Sequence, residues 1–418
     1  MNTQKDKLTG YHYLMSFILG IGYTGTCGLA YIASSYYALF SGATGMSDAQ
    51  MGALLSALGV CNLLSVLLGG PLADLVSPKR CLQFAYFVNP IIAMLTLFTL
   101  PSYGVLFVAC CSLSLCCQLP KWCPMCKLIA VSGTPGQQGR LFSWYACFGA
   151  LGTLLVSVIG SVMIAKFDAQ TGFRAMVALY SGILVVSGVL LTIFVKVPEE
   201  RLSKSNEFRL GDVLAIFKTP RLLLSFVSAA CIYITFFALN YINPMLGDVF
   251  GVPLATLTLL VTLTGGGLNA IVSPIVGNLA DKIGSTLKIF SVVYVVAIAA
   301  CLLLTIIPWN SSMLVVAIVL LFLVAICQHS SYSIYPTILT EVKAPENTLG
   351  TSTGLMSTCL TIPDVFAYGM AGTMLTKMGT NGYRGILWFA CGLMVVGFVC
   401  TLALLRMKKN GGFDKAAA

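Results

Sequence analysis

The chain has 418 residues, of which 58% are hydrophobic and only 9% charged, with a formal net charge of +10. Soluble domains carry about 25% charged residues, so a water-soluble globule is excluded for want of polar surface to cover it. A nucleic-acid-binding protein is excluded too, because the basic residues punctuate apolar stretches and form no aromatic-interleaved patch.

About 20 apolar residues carry a helix across the hydrocarbon core of a bilayer. The first such stretch, 11–39, is too long for the apolar region of a signal peptide and has no small-residue cleavage site, so it reads as a retained helix. Five more follow at 49–73, 81–100, 104–131, 139–166 and 172–196. A polar segment comes next, with Glu199, Glu200, Arg201, Lys204 and Arg209. Six further stretches occupy 221–246, 254–280, 286–308, 311–340, 350–378 and 383–406. The pattern predicts an all-α membrane protein with twelve transmembrane helices: an N-terminal six-helix half at 1–196, a cytoplasmic linker at 197–220 and a C-terminal six-helix half at 221–418. With the N-terminus placed in the cytoplasm, eighteen of the 24 Lys and Arg residues fall on that side and four on the other. The positive-inside rule therefore predicts both termini in the cytoplasm, and the membrane expected is the cytoplasmic (plasma) membrane, the cell inner membrane.

The two halves repeat. Gly70-Pro-Leu-Ala-Asp74 follows the second stretch, and Gly277-Asn-Leu-Ala-Asp281 follows the eighth, 207 residues later. Duplicated six-helix halves are a transporter architecture with the solute site at the repeat interface. The segment from Gly70 to Lys79 and Arg80 resembles the signature loop of the major facilitator superfamily, and the segment from Gly277 to Ser285 resembles its second copy. The resemblance covers essentially the whole chain. It implies the major facilitator fold, alternating access, and a gating latch formed by Gly70, Asp74, Lys79, Arg80, Arg140, Gly277 and Asp281. The resemblance implies that this loop latches the two halves in the outward-facing state. Leu75 stands where the family usually has a basic residue, so part of the first latch's charge pairing is expected to be missing. Trp122-Cys-Pro124-Met-Cys-Lys127 with Gln138-Gly139-Arg140, and Glu341-Val-Lys-Ala-Pro345 with Gly350-Thr-Ser-Thr-Gly354, resemble the sugar-phosphate permease or organic-anion branch, and Ile362-Pro363-Asp364 an uncharacterised subgroup of it. Members that bind phosphate carry an arginine in the first and seventh helices. Residues 11–39 have no basic residue, and Phe236 stands where the second arginine would be, which argues against a phosphate ester.

An ionisable residue at a helix centre costs about 2.5–3.5 kcal/mol on insertion scales, so each one wants a reason. Lys121 lies about 15 Å from the nearer helix end at 1.5 Å per residue, too deep to snorkel, and reads as a cation for an anionic solute, or as half of an internal salt bridge. Lys127 lies nearer the surface and can snorkel. Asp364, mid-span in the eleventh helix, could bind a coupling proton, pair with a lysine, contact a cationic group of the solute, or hold a turn after Pro363. His329, Asn240, Tyr241, Asn243, Tyr36 and Tyr37 are hydrogen-bonding candidates, since the resemblance implies that helices one, four, seven and ten line a central cavity. A lone buried histidine is also commonly a structural hydrogen-bonder. The cysteines at 110, 111, 116, 117, 123 and 126 lack a companion His or carboxylate cluster, so no metal and no cofactor is expected. With no nucleotide-binding loop and no convergent nucleophile and base, the expectation is a secondary transporter and not an enzyme. It would be a monomer in the lipid bilayer, taking a small, anionic solute as symporter or antiporter, with a coupling proton or an exchanged anion. The alternative is a solute-sensing membrane receptor of the same fold.

Overall fold

The computed structural model describes residues 7–100, 102–197, 215–411 and 413; most of the polar segment between the halves lies outside the described residues, as do the side chains of Tyr37 and Asp364. Among the described residues there is helix and no strand. The first half contains α1 (Gly10–Ala30), α2 (Ile32–Ser35), α3 (Tyr37–Thr44), α4 (Asp48–Leu75), α5 (Pro78–Leu95), α6 (Tyr103–Gln118), α7 (Trp122–Ser132), α8 (Gln138–Lys166) and α9 (Ala169–Phe194). The second contains α10 (Pro220–Phe250), α11 (Leu254–Thr262), α12 (Leu268–Ile283), α13 (Thr286–Ile306), α14 (Leu314–Ile334), α15 (Thr337–Glu341), α16 (Leu349–Met378) and α17 (Gly382–Lys409). Ten helical stretches among the described residues are long and apolar enough to cross a membrane. Two further helices are α5, about 27 Å long at 1.5 Å per residue with Lys79 and Arg80 in its first turn, and α16, with a polar first turn.

Local chemistry sets the ends. Ser47 accepts a bond from the Gln50 amide and Asp168 from those of Gln170 and Thr171, so each caps the helix it precedes. Pro78 and Pro220 occupy first helical positions, where a missing N–H costs nothing. Gly45, Gly251 and Gly284 end α3, α10 and α12 in the left-handed region. The polarity is the reverse of a soluble protein's. Ile306, Val315 and Leu95 are about 70% exposed, whereas Asn89, Ser114, Ser228 and Thr401 are buried. Aliphatic surface outside and hydroxyls inside suit a hydrocarbon solvent.

Several of the apolar stretches are not continuous α-helices, those at 104–131 and 11–39 among them. The run at 104–131 breaks between Gln118 and Trp122, where Pro120 removes an amide and Lys121 bonds back to the Gln118 carbonyl at 3.3 Å. The run at 11–39 breaks at Tyr31 and again at Tyr36.

The chain forms two compact units: one of residues 1–134, 144–210 and 345–355, the other of residues 135–143, 211–344 and 356–418. Each takes a short segment from the opposite half of the sequence. In the first unit α1 packs on α5, α6 and α9. Gly22 has no room for a Cβ, which would collide with the Tyr86 hydroxyl. In the second, α10, α13 and α17 pack together, and Tyr294 donates to the Ser228 carbonyl at 2.6 Å.

Candidate functional site

The two motif aspartates are built alike. In the first unit Asp74 ends α4 and accepts the backbone N–H groups of Gly350 (2.9 Å) and Thr351 (2.6 Å), plus the Thr351 hydroxyl (2.7 Å). Those amides open α16 and have no partner within the helix, so a carboxylate there meets both bonding need and helix dipole. In the second unit Asp281 accepts the amides of Gly139 (3.0 Å) and Arg140 (3.2 Å) at the start of α8, and Arg140 Nε at 2.6 Å. The glycines make this approach possible. A Cβ on Gly350 would stand 2.7 Å from Asp74 Oδ1, and one on Gly70 would stand 2.9 Å from the Thr351 Cα. Gly277 is likewise pressed against Gly139 and Ser143.

Leu75 does not leave Asp74 without a cation. Lys127, on α7, donates to Asp74 Oδ1 at 2.8 Å and to the Ala73 carbonyl at 3.0 Å, with 1% of its side chain exposed. Its ammonium turns inward to the motif and does not snorkel. The Arg140–Asp281 pair is more open, at 18% and 8%. Lys79 caps the other end of a helix, donating to the Thr192 and Val195 carbonyls at the end of α9, and Arg80 is exposed.

The remaining candidates separate. Lys121 sits at the break between α6 and α7, 1% exposed. Its Nζ lies 3.3 Å from Cys27 Sγ and 4.6 Å from the centre of the Tyr23 ring. No carboxylate among the described residues stands within salt-bridge distance of it. Tyr36 meets Tyr180 hydroxyl to hydroxyl at 3.3 Å. In the second unit His329 Nε2 lies 2.6 Å from the Thr264 carbonyl. Thr264 belongs to a π-helical stretch, Leu263–Gly267, distorted at Gly265. A stretch of that kind leaves carbonyls unbonded, and a carbonyl acceptor makes Nε2 the protonated nitrogen. Tyr241 packs on Phe237 with ring centres 5.0 Å apart, and Asn240 beside it is exposed. Asn243 donates to the Leu239 carbonyl within its own helix. Asp364 lies in α16 just after Pro363; its side chain lies outside the described residues.

Tyr86 and Tyr145 are buried in the first unit, and neither hydroxyl has a hydrogen-bond partner among the described residues.

Residues 13–368 match the Major Facilitator Superfamily. The chain is similar to the Inner membrane protein YqcE of Escherichia coli (strain K12), 22% identical over 414 residues that cover 97% of this chain and 96% of that one. It is also similar to the Inner membrane protein YihN of the same organism, 21% identical over 370 residues, 86% and 87% of the two chains. Among solved structures it resembles the transporter FucP in the outward conformation (TM-score 0.77, 13% identity, 94% of this chain and 98% of that one). It also resembles the proton:xylose symporter XylE (TM-score 0.72, 13% identity, 95% of each). The duplicated aspartate at a helix N-terminus, the inverted polarity and the family match agree: the chain belongs to the Major Facilitator Superfamily and is a multi-pass membrane transporter with that family's twelve-helix fold.

Proposed function

We propose that the protein is a secondary active transporter that moves a small organic anion across the cytoplasmic membrane by alternating access, with both termini on the cytoplasmic side. Lys121 carries this reading. An ammonium ion removed from water costs several kcal/mol unless a partner compensates it, and an aromatic face and a thiol return only part of that. A solute anion supplies the missing charge. The segment from Trp122 to Lys127 favours the sugar-phosphate permease or organic-anion branch. The lack of Lys or Arg in 11–39 and the phenylalanine at 236 disfavour its phosphate esters. In this reading the paired motifs around Asp74 and Asp281 bias the conformational cycle, and Tyr36, Asn240, Tyr241 and His329 contribute hydrogen bonds. Uptake of labelled anions into proteoliposomes tests it, and a protein that binds but never moves them would be a sensor.

The energy source is either a proton or a counter-solute. XylE and the E. coli fucose:proton symporter FucP are proton symporters, and Asp364 is the carboxylate assigned to a coupling proton here. Asp364→Asn is expected to abolish accumulation driven by a pH gradient while leaving counterflow exchange at a similar rate. The control is uptake under an imposed pH gradient with no internal solute. A wild-type protein that fails there, yet exchanges readily with loaded solute, is an antiporter in which Asp364 carries no coupling proton.

A further inference from the structure

We propose that the second unit holds a regulatory site for a small, soluble, phosphate-bearing anion, in a cavity beside Asp281, and that its occupant holds the Asp281 motif closed. Lys121 is not among the lining residues, and the site does not depend on what the protein carries.

The cavity has a volume of about 250 Å³. At about 30 Å³ per water it has room for a small organic phosphate, and it falls just short of the roughly 300–1,000 Å³ of drug-sized pockets. All of its lining residues belong to the second unit. Residues of the 135–139 segment, leading into α8, form one wall. The turn from α12 into α13, with α15 and the end of α17, forms the others, and brings in Asp281, Ser285, Thr340, Glu341 and Lys408. In the orientation proposed above this is the cytoplasmic end of the unit.

Valence and charge set what fits. Both acids in the walls are engaged. Asp281 accepts the Gly139 and Arg140 amides and Arg140 Nε. Glu341 accepts the Ser285 hydroxyl, the Leu287 amide at 3.0 Å and Lys408 Nζ at 2.6 Å. Thr286 and Thr337 bond each other at 2.6 Å. Donors are what stay open. Lys408 is 38% exposed and spends one of its three N–H groups on Glu341. The Thr340 hydroxyl bonds to no described residue. Arg140, Lys282, Lys288, Lys343, Arg406 and Lys409 all lie within two positions of a lining residue, whereas Asp281 and Glu341 are the only acids that do. A cleft rimmed by one sign of charge concentrates the other. A cation would have to displace Lys408 or Arg140 from its carboxylate. A phosphate dianion offers several acceptors to charged donors, and it answers more of the surplus than a monocarboxylate does.

Position gives such an anion leverage. Between the 135–139 segment and Lys408, it reinforces the hold of Asp281 on the Gly139 and Arg140 amides. The Asp281 motif is proposed above to bias the conformational cycle, and a ligand that binds best while that motif is closed shifts the population toward the closed state.

The test uses the purified full chain in phosphatidylcholine nanodiscs, with Lys408→Gln, Thr340→Val and Lys121→Ala variants. Inorganic phosphate, glycerol phosphate and acetate are titrated by calorimetry. Hydrogen exchange is followed in peptides spanning residues 135–143, where the Gly139 and Arg140 amides report on Asp281. The expected result is one saturable site for at least one of the two phosphates and none for acetate. Affinity should fall about tenfold or more in Lys408→Gln and about threefold in Thr340→Val, as for a charged and a weaker hydrogen bond, and stay unchanged in Lys121→Ala. The bound phosphate should slow exchange at 135–143 in the wild type and not in Lys408→Gln. Thr340→Val leaves the Lys408–Glu341 pair intact, so it serves if Lys408→Gln melts early. Absent binding, heats that never saturate, or wild-type affinity in both pocket variants means an adventitious ion only and overturns the site. Binding lost in Lys121→Ala and kept in the pocket variants overturns it too, while leaving Lys121 as an anion site. Binding through Lys408 with unchanged exchange overturns the regulatory role. Displacement of the phosphate by phosphatidylglycerol added to the nanodiscs overturns the soluble effector in favour of a lipid headgroup.

Discussion

Asp74→Asn is expected to slow transport at least tenfold at normal expression. Asp74 accepts four hydrogen bonds in a buried setting, three from the opening of α16 and one from Lys127. Asparagine removes the charge and turns an NH2 group toward these donors. Lys127 is then left buried without a counter-charge, and breaking a pair of this kind costs about 3–5 kcal/mol. Residues 349–355 of α16 belong to the first unit, and loosening this first turn is expected to shift the populations on which transport depends. Lys127→Met should rescue much of the loss in the double variant, since no unpaired charge remains. Proteoliposome uptake by the four proteins of this cycle is the measurement. Unchanged uptake by Asp74→Asn would remove the motif from the mechanism, and a double variant as slow as Asp74→Asn alone would show that the unpaired lysine is not the cause.

Lys121→Ala is expected to weaken binding of the transported anion by about 10- to 150-fold, the range of one hydrogen bond to a charged group. Lys121→Arg should retain part of the affinity. It keeps the charge and can stack on Tyr23, but its planar fork is larger and differently aimed than a point-like ammonium. Titration calorimetry with the purified proteins decides the matter. A Lys121→Ala protein with wild-type affinity would show that the ammonium serves the fold and not the solute.

The fold was legible because the bilayer is a severe solvent. It demands long apolar runs, and the glycine-to-aspartate segments at 70–74 and 277–281 announce a duplication that few architectures share. Finer features escaped for physical reasons. Pro120 lies in an unbroken apolar run, and only the backbone shows that the helix stops there and restarts after Lys121. The family pattern puts a cation for Asp74 in the next residue, where Leu75 stands, but here it comes from Lys127, fifty-three positions away. Linear spacing does not reveal a partner on another helix. Tyr86 and Tyr145 look like ordinary membrane-helix aromatics in sequence; what distinguishes them is that their hydroxyls have no partner among the described residues, a property of packing alone. The glycines at 70, 277 and 350, by contrast, fit both readings, because a helix crossing that brings a carboxylate onto backbone amides leaves no space for a side chain.

The exchange of short segments bears on biosynthesis. Residues 345–355 complete the first unit, but they are translated only after most of the second half. While the ribosome is still extending the chain, Asp74 has Lys127 within reach but not the amides of Gly350 and Thr351. The N-terminal half therefore enters the membrane with a carboxylate that still lacks three of its four final donors. A fragment ending before residue 345 would keep it that way permanently. Assembly of the first unit is thus finished from the far end of the gene product, and a nascent chain that stalls late is left with an unfinished early half.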